Sequence, residues 1–142
     1  MNLGQIEDGF FVSPQLMPGH VALLAEQGVK AIINNRPDTE RGFFPPDREM
    51  AELAADKGID YHYMPIDHRG LSMEQISAFA AALKQAGGPV VAYCASGHRS
   101  AVMWALAKTS SKSVDEIIAS CAAQGFDLSQ MRPTLTQLAS AA

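Results

Sequence analysis

The feature that most constrains this chain is one continuous stretch, residues 89–108. It opens with an apolar run, residues 89–93, whose length and β-branched content predict a buried strand. It closes with residues 100–108, which are rich in Ala, Leu and Met and predict a helix. Between them lies the short sequence CASGHR, which begins at Cys94 and ends at Arg99. The stretch therefore predicts a strand, a tight loop and a helix, with a thiol and a guanidinium in the loop.

A loop that leads directly into a helix can hold an anion, because its backbone N–H groups point inward and the helix dipole adds positive potential. A cysteine with the usual pKa of about 8.5 is only about 3% thiolate at pH 7. A helix terminus contributes roughly 0.3–2 kcal/mol, so the rest of the stabilisation must come from loop N–H groups and from Arg99. Cys94 is the candidate nucleophile and Arg99 the candidate oxyanion clamp. The remaining candidate anion-binding residues are Ala95, Ser96, Gly97 and His98.

The alternative is a buried, inert cysteine next to a surface arginine. The pattern disfavours it, because Cys94 ends a strand, Gly97 permits a tight turn and a helix follows at once. The other cysteine, Cys121, falls on an apolar helix face and is predicted to be core rather than a resolving thiol. A cytosolic chain with two cysteines is expected to keep both free.

Length and composition predict one globular domain, residues 1–142, with 47% apolar and 18% charged residues. A net charge of −4 gives no basic stripe for nucleic acid or anionic lipid. The first residues lack the basic and apolar regions of a signal peptide, and no run reaches the roughly 20 apolar residues of a membrane span. We therefore expect a cytoplasmic protein that binds neither nucleic acid nor membrane.

Strand and helix patterns alternate through residue 108, which predicts an α/β fold with a mostly parallel central sheet flanked by helices. Sites in such sheets lie at the carboxyl ends of the strands. Three segments should meet there: residues 34–40, 65–71 and 94–99. The predicted strands are residues 10–12, 29–34, 61–64 and 89–93, and the predicted helices cover residues 18–27, 47–57, 72–86 and 100–108, with two more before residue 141.

The motifs YCASGHRS, from Tyr93, NNRPDTE, from Asn34, and MPID, from Met64, resemble the phosphatase-like domain family of beta-lactamase hydrolase-like proteins. The likeness covers roughly residues 3–110. It implies a protein-tyrosine-phosphatase-like α/β fold. It also implies an association with metallo-β-lactamase-fold enzymes that process persulfides, since family members occur beside or fused to them. Some members are called phosphatases and some sulfurtransferases.

Loop length favours sulfur transfer. Cys94 and Arg99 enclose four residues, as in rhodaneses, whereas tyrosine phosphatases have five, and Tyr93 replaces their usual histidine. A smaller ring of N–H groups should suit a persulfide and be tight for a phosphoryl group. The preferred prediction is a rhodanese-like sulfurtransferase in which Cys94 takes sulfane sulfur from thiosulfate or a persulfide, both small anionic donors, and passes it to a thiol such as glutathione. Arg99 would orient the donor.

The alternative is a phosphatase that acts on a phosphoester. Cys94 would form a phosphocysteine, Arg99 would clamp the phosphoryl oxygens, Asp67 would protonate the leaving oxygen and Ser100 would assist the second step. Asp67 is also interpretable as a solvated turn residue. A second alternative is a noncatalytic module that binds an anion or docks a partner.

Other charged residues have weaker signals. Arg36 and Arg69 are candidates for a substrate rim that selects anions, and His98 could tune the thiolate. No cofactor is predicted, and no metal site, because the other histidines lack ligand spacing. These are His20, His62 and His68.

Overall fold

The computed structural model describes residues 1–67 and 69–141. His68 and the last position of the predicted domain, Ala142, lie outside the described residues. The strands are β1 (Gly4–Glu7), β2 (Phe10–Ser13), β3 (Ala31–Asn34), β4 (Asp60–Tyr63) and β5 (Val90–Tyr93). The helices are α1 (Pro18–Glu26), α2 (Asp47–Asp56), α3 (Met73–Gln85), α4 (His98–Ala107), α5 (Val114–Ala122) and α6 (Arg132–Ala141), with a 3₁₀ turn at Ser129–Met131.

The five strands form one sheet in the order β1-β2-β5-β3-β4. β5 pairs in parallel with β2 and β3, and β3 pairs in parallel with β4, whereas β1 is antiparallel to β2. The predicted α/β class with a mostly parallel sheet is confirmed. The sequence missed β1, because only Ile6 of this strand is buried and one apolar residue gives no alternation to read.

Helices cover both faces of the sheet, as buried parallel strands require. Alternation along β5 sends Val90 and Ala92 into one core, under α3, α4, α5 and α6, and Val91 and Tyr93 into the other, under α1 and α2. All four residues of β5 are buried. The four parallel strands therefore end at one common edge of the sheet, with the end of β5 at its centre.

Capping fixes where the helices begin. Ser72 Oγ accepts from the N–H of Gln75 at 3.2 Å, and Gln75 Oε1 accepts from the N–H of Ser72 at 2.8 Å, so the two residues form a capping box at the start of α3. Ser113 caps α5 by accepting from the N–H of Glu116 at 3.1 Å. None of the helices in the described part of the chain is long and apolar enough to cross a membrane.

β1 is fastened to α4 by one carboxylate. Glu7 Oε2 accepts from Nε1 of Trp104 at 2.6 Å and pairs with Nζ of Lys108 at 3.1 Å. Trp104 is fully buried and stacks on Phe10. Glu7 therefore satisfies an indole N–H that would otherwise be buried without an acceptor.

We expect Glu7→Ala to lower the free energy of unfolding by about 1–3 kcal/mol, because the indole N–H of Trp104 loses its acceptor. Urea unfolding followed by tryptophan fluorescence measures the loss. Gln5→Ala, at an exposed position on the same strand, is the control and should change stability by less than about 0.5 kcal/mol. Equal effects of the two substitutions would contradict this role of Glu7.

Candidate active site

The structure brings the three predicted segments together at the carboxyl edge of the sheet. The N–H of Asn35 donates to the carbonyl of Tyr93 at 2.8 Å, and the N–H of Ile66 donates to the carbonyl of Asn35 at 2.9 Å. The segment after β2 joins them, since the N–H of Gln15 donates to the carbonyl of Ala95 at 3.1 Å. Backbone hydrogen bonds between loops therefore define the site.

The loop after β5 encloses the thiol. Cys94 is fully buried, and its Sγ accepts from the N–H of Gly97 at 3.1 Å. Gly97 has φ of +95°, and a Cβ there would lie 3.1 Å from Cζ of Phe126. The position therefore requires glycine for its backbone conformation and for space. α4 begins at His98, two residues earlier than the sequence predicts, which places Arg99 in the first turn of the helix.

Arg99 is held by protein acceptors on one edge of its guanidinium. Nη1 donates to Glu40 Oε2 and to the carbonyl of Ile66, the latter at 2.9 Å, and Nη2 donates to Glu40 Oε1 at 3.0 Å. The hydrogen bond to Glu40 raises the pKa of Arg99 above its usual value, and Cys94 contributes through its charge and a hydrogen bond. Both Nη1 protons are used, so the group that faces the thiol is Nε–H or the second Nη2–H. These two N–H groups form the other two-point edge of the guanidinium.

Sequence reasoning missed Glu40, which pairs with Arg99 in the site. Hydrogen bonding to Arg99 lowers the pKa of Glu40 below its usual value of 4.5, burial opposes the shift, and the charges of Arg99 and Arg36 add to it. Glu40 is therefore ionised, and the pair with Arg99 intact, at neutral pH and into the acid range. The sequence signal that could have identified Glu40 is its position four residues after Arg36, because this spacing allows the two side chains to pair in a turn.

Arg36 lies beneath the loop that carries Glu40. Its side chain is 13% exposed and donates to Glu40 at 3.2 Å, to Oε1 of Gln15 at 3.0 Å and to the carbonyl of Arg41 at 3.0 Å. The guanidinium also stacks on Phe44 at 3.7 Å from the ring centroid. Arg36 therefore organises the loop, and its predicted place on a substrate rim stays a prediction.

A pocket of about 670 Å³ opens in front of Arg99. Asp67 lies on its wall, 27% exposed, and accepts from Nε of Arg69 at 2.9 Å and from Nη2 at 2.6 Å. Arg69 is 82% exposed, and the pair with Asp67 raises its pKa. The structure thus places Asp67, Arg69 and Arg99 around one space. The lining residues are Pro37, Thr39, Glu40, Ile66, Asp67, Arg69 and Arg99.

The remaining predicted residues occupy different positions. Ser100 is fully buried, and its hydroxyl donates to Oδ1 of Asn35 at 2.8 Å. His98 is exposed, with its ring 6.4 Å from that of Phe126. Ala95 and Ser96 are exposed on the loop. Within residues 1–67 and 69–141, no group of three or more His, Cys, Asp or Glu side chains could hold a metal ion.

Comparison with known proteins gives consistent matches. The model of the family described as beta-lactamase hydrolase-like protein, phosphatase-like domain, matches residues 2–112. A beta-lactamase hydrolase-like protein of Agrobacterium fabrum is 31% identical over 106 residues, which are 75% of this chain and 25% of that protein. The chain therefore spans about a quarter of the length of this curated relative.

Solved structures agree on the fold. A candidate phosphatase from Neisseria meningitidis superposes with a TM-score of 0.81 at 29% identity, covering 94% of this chain and 96% of that one. A candidate protein tyrosine phosphatase from Leishmania major gives 0.72 at 18% identity, with 96% and 98% covered. The predicted protein-tyrosine-phosphatase-like fold is confirmed.

The expectation of rhodanese-like sulfur transfer is wrong. The matching family and the Neisseria structure both point to phosphatase-like proteins instead. The inference failed because it took the number of residues between Cys94 and Arg99 as the measure of available space. The space in front of Arg99 is instead walled by the loops after β3 and β4, which contribute Glu40 and Asp67.

We expect iodoacetate to alkylate Cys94 in the folded protein at pH 6–7 and to leave Cys121 unmodified. Cys94 Sγ accepts from a loop N–H and interacts with Arg99, whereas burial raises the pKa of Cys121 to about 12. Peptide mapping by mass spectrometry after timed labelling measures both sites, and denatured protein is the control in which both should react. Equal rates in the folded protein would show that the loop does not activate its thiol.

Proposed function

Because the chain belongs to the phosphatase-like domain family of beta-lactamase hydrolase-like proteins, we propose that it hydrolyses phosphomonoesters through a phosphocysteine on Cys94. The observation that carries the proposal is the juxtaposition of Cys94 with the edge of Arg99 that Glu40 leaves available. A thiolate and a planar two-point donor are the two groups that an in-line attack on a phosphoryl group needs. Asp67 on the same pocket supplies a group for proton transfer.

In the first step the Cys94 sulfur attacks phosphorus and forms an S–P bond while the P–O bond to the leaving group breaks. The leaving oxygen takes its proton from the carboxyl of Asp67. In the second step water attacks phosphorus, the S–P bond breaks and its electron pair returns to Cys94. The Asp67 carboxylate takes the proton of that water. The products are an alcohol or phenol and inorganic phosphate.

Arg99 would bind two phosphoryl oxygens through Nε–H and the second Nη2–H. Glu40 is a positioning residue in this arrangement, since it occupies the opposite edge and fixes the plane of the guanidinium. Charge developing on the phosphoryl oxygens then meets donors that are already oriented, so no reorganisation is needed in the transition state. The N–H groups of the loop would complete the oxyanion cradle.

The ion pair with Arg69 affects whether Asp67 can act as an acid. Asp67 must carry a proton to act as an acid, and the two hydrogen bonds from the Arg69 guanidinium favour its ionised form. Exposed pairs of this kind are weak, because solvent screens the two charges. A dianionic phosphoryl group in the pocket competes for Arg69, and Asp67 is then able to be protonated. The rim role predicted for Arg69 therefore belongs to this proposal.

The proposal also concerns the substrate, the cellular location and a partner enzyme. The substrate is a small anionic phosphoester that reaches the pocket in front of Arg99. The predicted cytoplasmic location stays a prediction, as does the partnership with a metallo-β-lactamase-fold enzyme.

We expect Asp67→Asn to lower turnover roughly 10²–10⁴-fold on an alkyl phosphate but less than about tenfold on 4-nitrophenyl phosphate, whose leaving group needs little protonation. Cys94→Ser should abolish turnover of both. Steady-state release of phosphate measures the rates, and Asp60→Asn, at an exposed position on β4, is the control. Turnover retained by Cys94→Ser would refute the phosphocysteine mechanism, and equal losses on both substrates would remove Asp67 as the acid.

We expect Glu40→Gln to lower kcat/KM roughly 10–100-fold, because the amide places a donor against the Arg99 donors and releases the guanidinium plane. The affinity for inorganic phosphate as an inhibitor should fall in parallel, while the urea midpoint, measured alongside, should move little. The matched control is Glu52→Gln, which breaks the exposed i,i+4 pair with Arg48 and should leave kcat/KM within about twofold. Unchanged phosphate affinity in Glu40→Gln would rule out a positioning role.

A further inference from the structure

Asn35 is a fully buried residue that makes four hydrogen bonds to four different residues of the site. Its backbone N–H donates to the carbonyl of Tyr93 at 2.8 Å, and its backbone carbonyl accepts from the N–H of Ile66 at 2.9 Å. Its side-chain Nδ2 donates to the carbonyl of Met64 at 2.9 Å, and Oδ1 accepts from the hydroxyl of Ser100 at 2.8 Å. Both backbone groups and both side-chain polar atoms are therefore used.

The hydrogen-bond partners fix the orientation of the Asn35 amide and the direction of the Ser100 hydroxyl proton. The carbonyl of Met64 can only accept, so the amide atom that faces it must be Nδ2. Oδ1 then faces Ser100, and because an amide oxygen has no proton, the single hydroxyl proton of Ser100 must be donated to it. Ser100 is fully buried, so no water competes for that proton. The hydroxyl proton of Ser100 is committed to Asn35.

These bonds join the groups that a phosphoryl oxygen would meet. Through Tyr93, Asn35 holds the residue that immediately precedes Cys94. Its carbonyl binds the N–H of Ile66, the residue whose carbonyl accepts from Nη1 of Arg99. Through Ser100 it holds the helix residue that immediately follows Arg99. The backbone of Asn35 thus links the segment before Cys94 to Ile66, whose carbonyl accepts from Arg99, and its side chain adds Met64 and Ser100 to the same network.

We infer that Asn35 is a positioning residue of the active site, and that Ser100 acts through Asn35 to orient Arg99 instead of assisting the release of Cys94 in the second step. The inference rests on the proposed phosphatase function. It replaces the direct role that the sequence suggested for Ser100. It also identifies Asn35, in the motif NNRPDTE, as the residue that couples the three loops.

The two candidate roles of Ser100, assisting the second step and positioning Arg99, predict that different steps slow when its hydroxyl is removed. A hydroxyl that assists the second step leaves the phosphocysteine intact when it is removed, so phosphoenzyme accumulates and 4-nitrophenol appears in a burst of about one equivalent. A hydroxyl that positions Arg99 through Asn35 weakens capture of the phosphoryl group. Removing it lowers kcat/KM and phosphate affinity together, without a burst.

The experiment compares Ser100→Ala, Asn35→Ala and the double variant with 4-nitrophenyl phosphate in stopped flow. We expect kcat/KM to fall roughly tenfold in Ser100→Ala and at least as much in Asn35→Ala, with no burst in either. The double variant should be no worse than Asn35→Ala, because both changes remove one linkage. Calorimetric titration with inorganic phosphate should show a parallel loss of affinity. Ser13→Ala is the matched control, a buried serine whose hydroxyl donates to the carbonyl of Pro14.

A burst in Ser100→Ala with kcat/KM intact would overturn the inference, as would additive losses in the double variant or near wild-type values in Asn35→Ala. If Asn35→Ala does not fold, Ser100→Ala alone tests the inference. A burst would contradict it, and a loss of phosphate affinity without a burst would support it. Wild-type protein without phosphatase turnover would contradict the proposed function instead. The phosphate titration would still test whether Asn35 and Ser100 set the anion site.

Discussion

The site depends on which N–H groups of the Arg99 guanidinium bind protein acceptors and which remain for a ligand. A guanidinium has two edges that can each grip an oxyanion, and here Glu40 occupies one of them permanently. A partly buried arginine needs such a partner, because a charge taken out of water without one is strongly destabilising. The same ion pair that stabilises the partly buried charge also fixes the plane of the Arg99 guanidinium. Stability and readiness for an anion therefore come from one interaction, and the edge beside Cys94 is the one left for a ligand.

The support for this pair reaches well beyond the two residues. Glu40 is held in turn by Arg36, which is anchored under its loop by Gln15 and by stacking on Phe44. Asn35, next in the chain to Arg36, ties that loop to β5, to the end of β4 and to α4. These contacts are buried or partly buried, and they join the loops into one framework. Asp67, the proposed acid, pairs with the exposed side chain of Arg69.

Loop length misled the functional inference for a physical reason. Counting four residues between Cys94 and Arg99 describes only the loop after β5, which contributes Arg99 to the lining of the pocket. The walls come from the segments after β3 and β4, which lie far away in sequence. Beginning α4 at His98 also puts Arg99 on the first turn of the helix, where Glu40 and the carbonyl of Ile66 decide its orientation.

The sequence by itself determined the α/β alternation, the central place of β5 and the loop that carries Cys94 and Arg99, because apolar runs, Gly97 and helix formers act over a few residues. It also determined that the segments carrying Asp67 and Arg99 would lie at one edge of the sheet, since parallel strands share a carboxyl edge, but not whether Asp67 would reach the Cys94 loop. It did not determine β1, which has a single buried apolar residue, nor the roles of Glu40, Asn35 and Arg36. Polar side chains in a loop have no periodicity, and the side chains of Asn35 and Glu40 also bond to partners 29 to 65 residues away in the chain. Only the tertiary structure decided that Arg36 supports a loop, that Glu40 holds Arg99 and that Ser100 donates to Asn35, because hydrogen-bond partners are fixed by packing and not by local sequence.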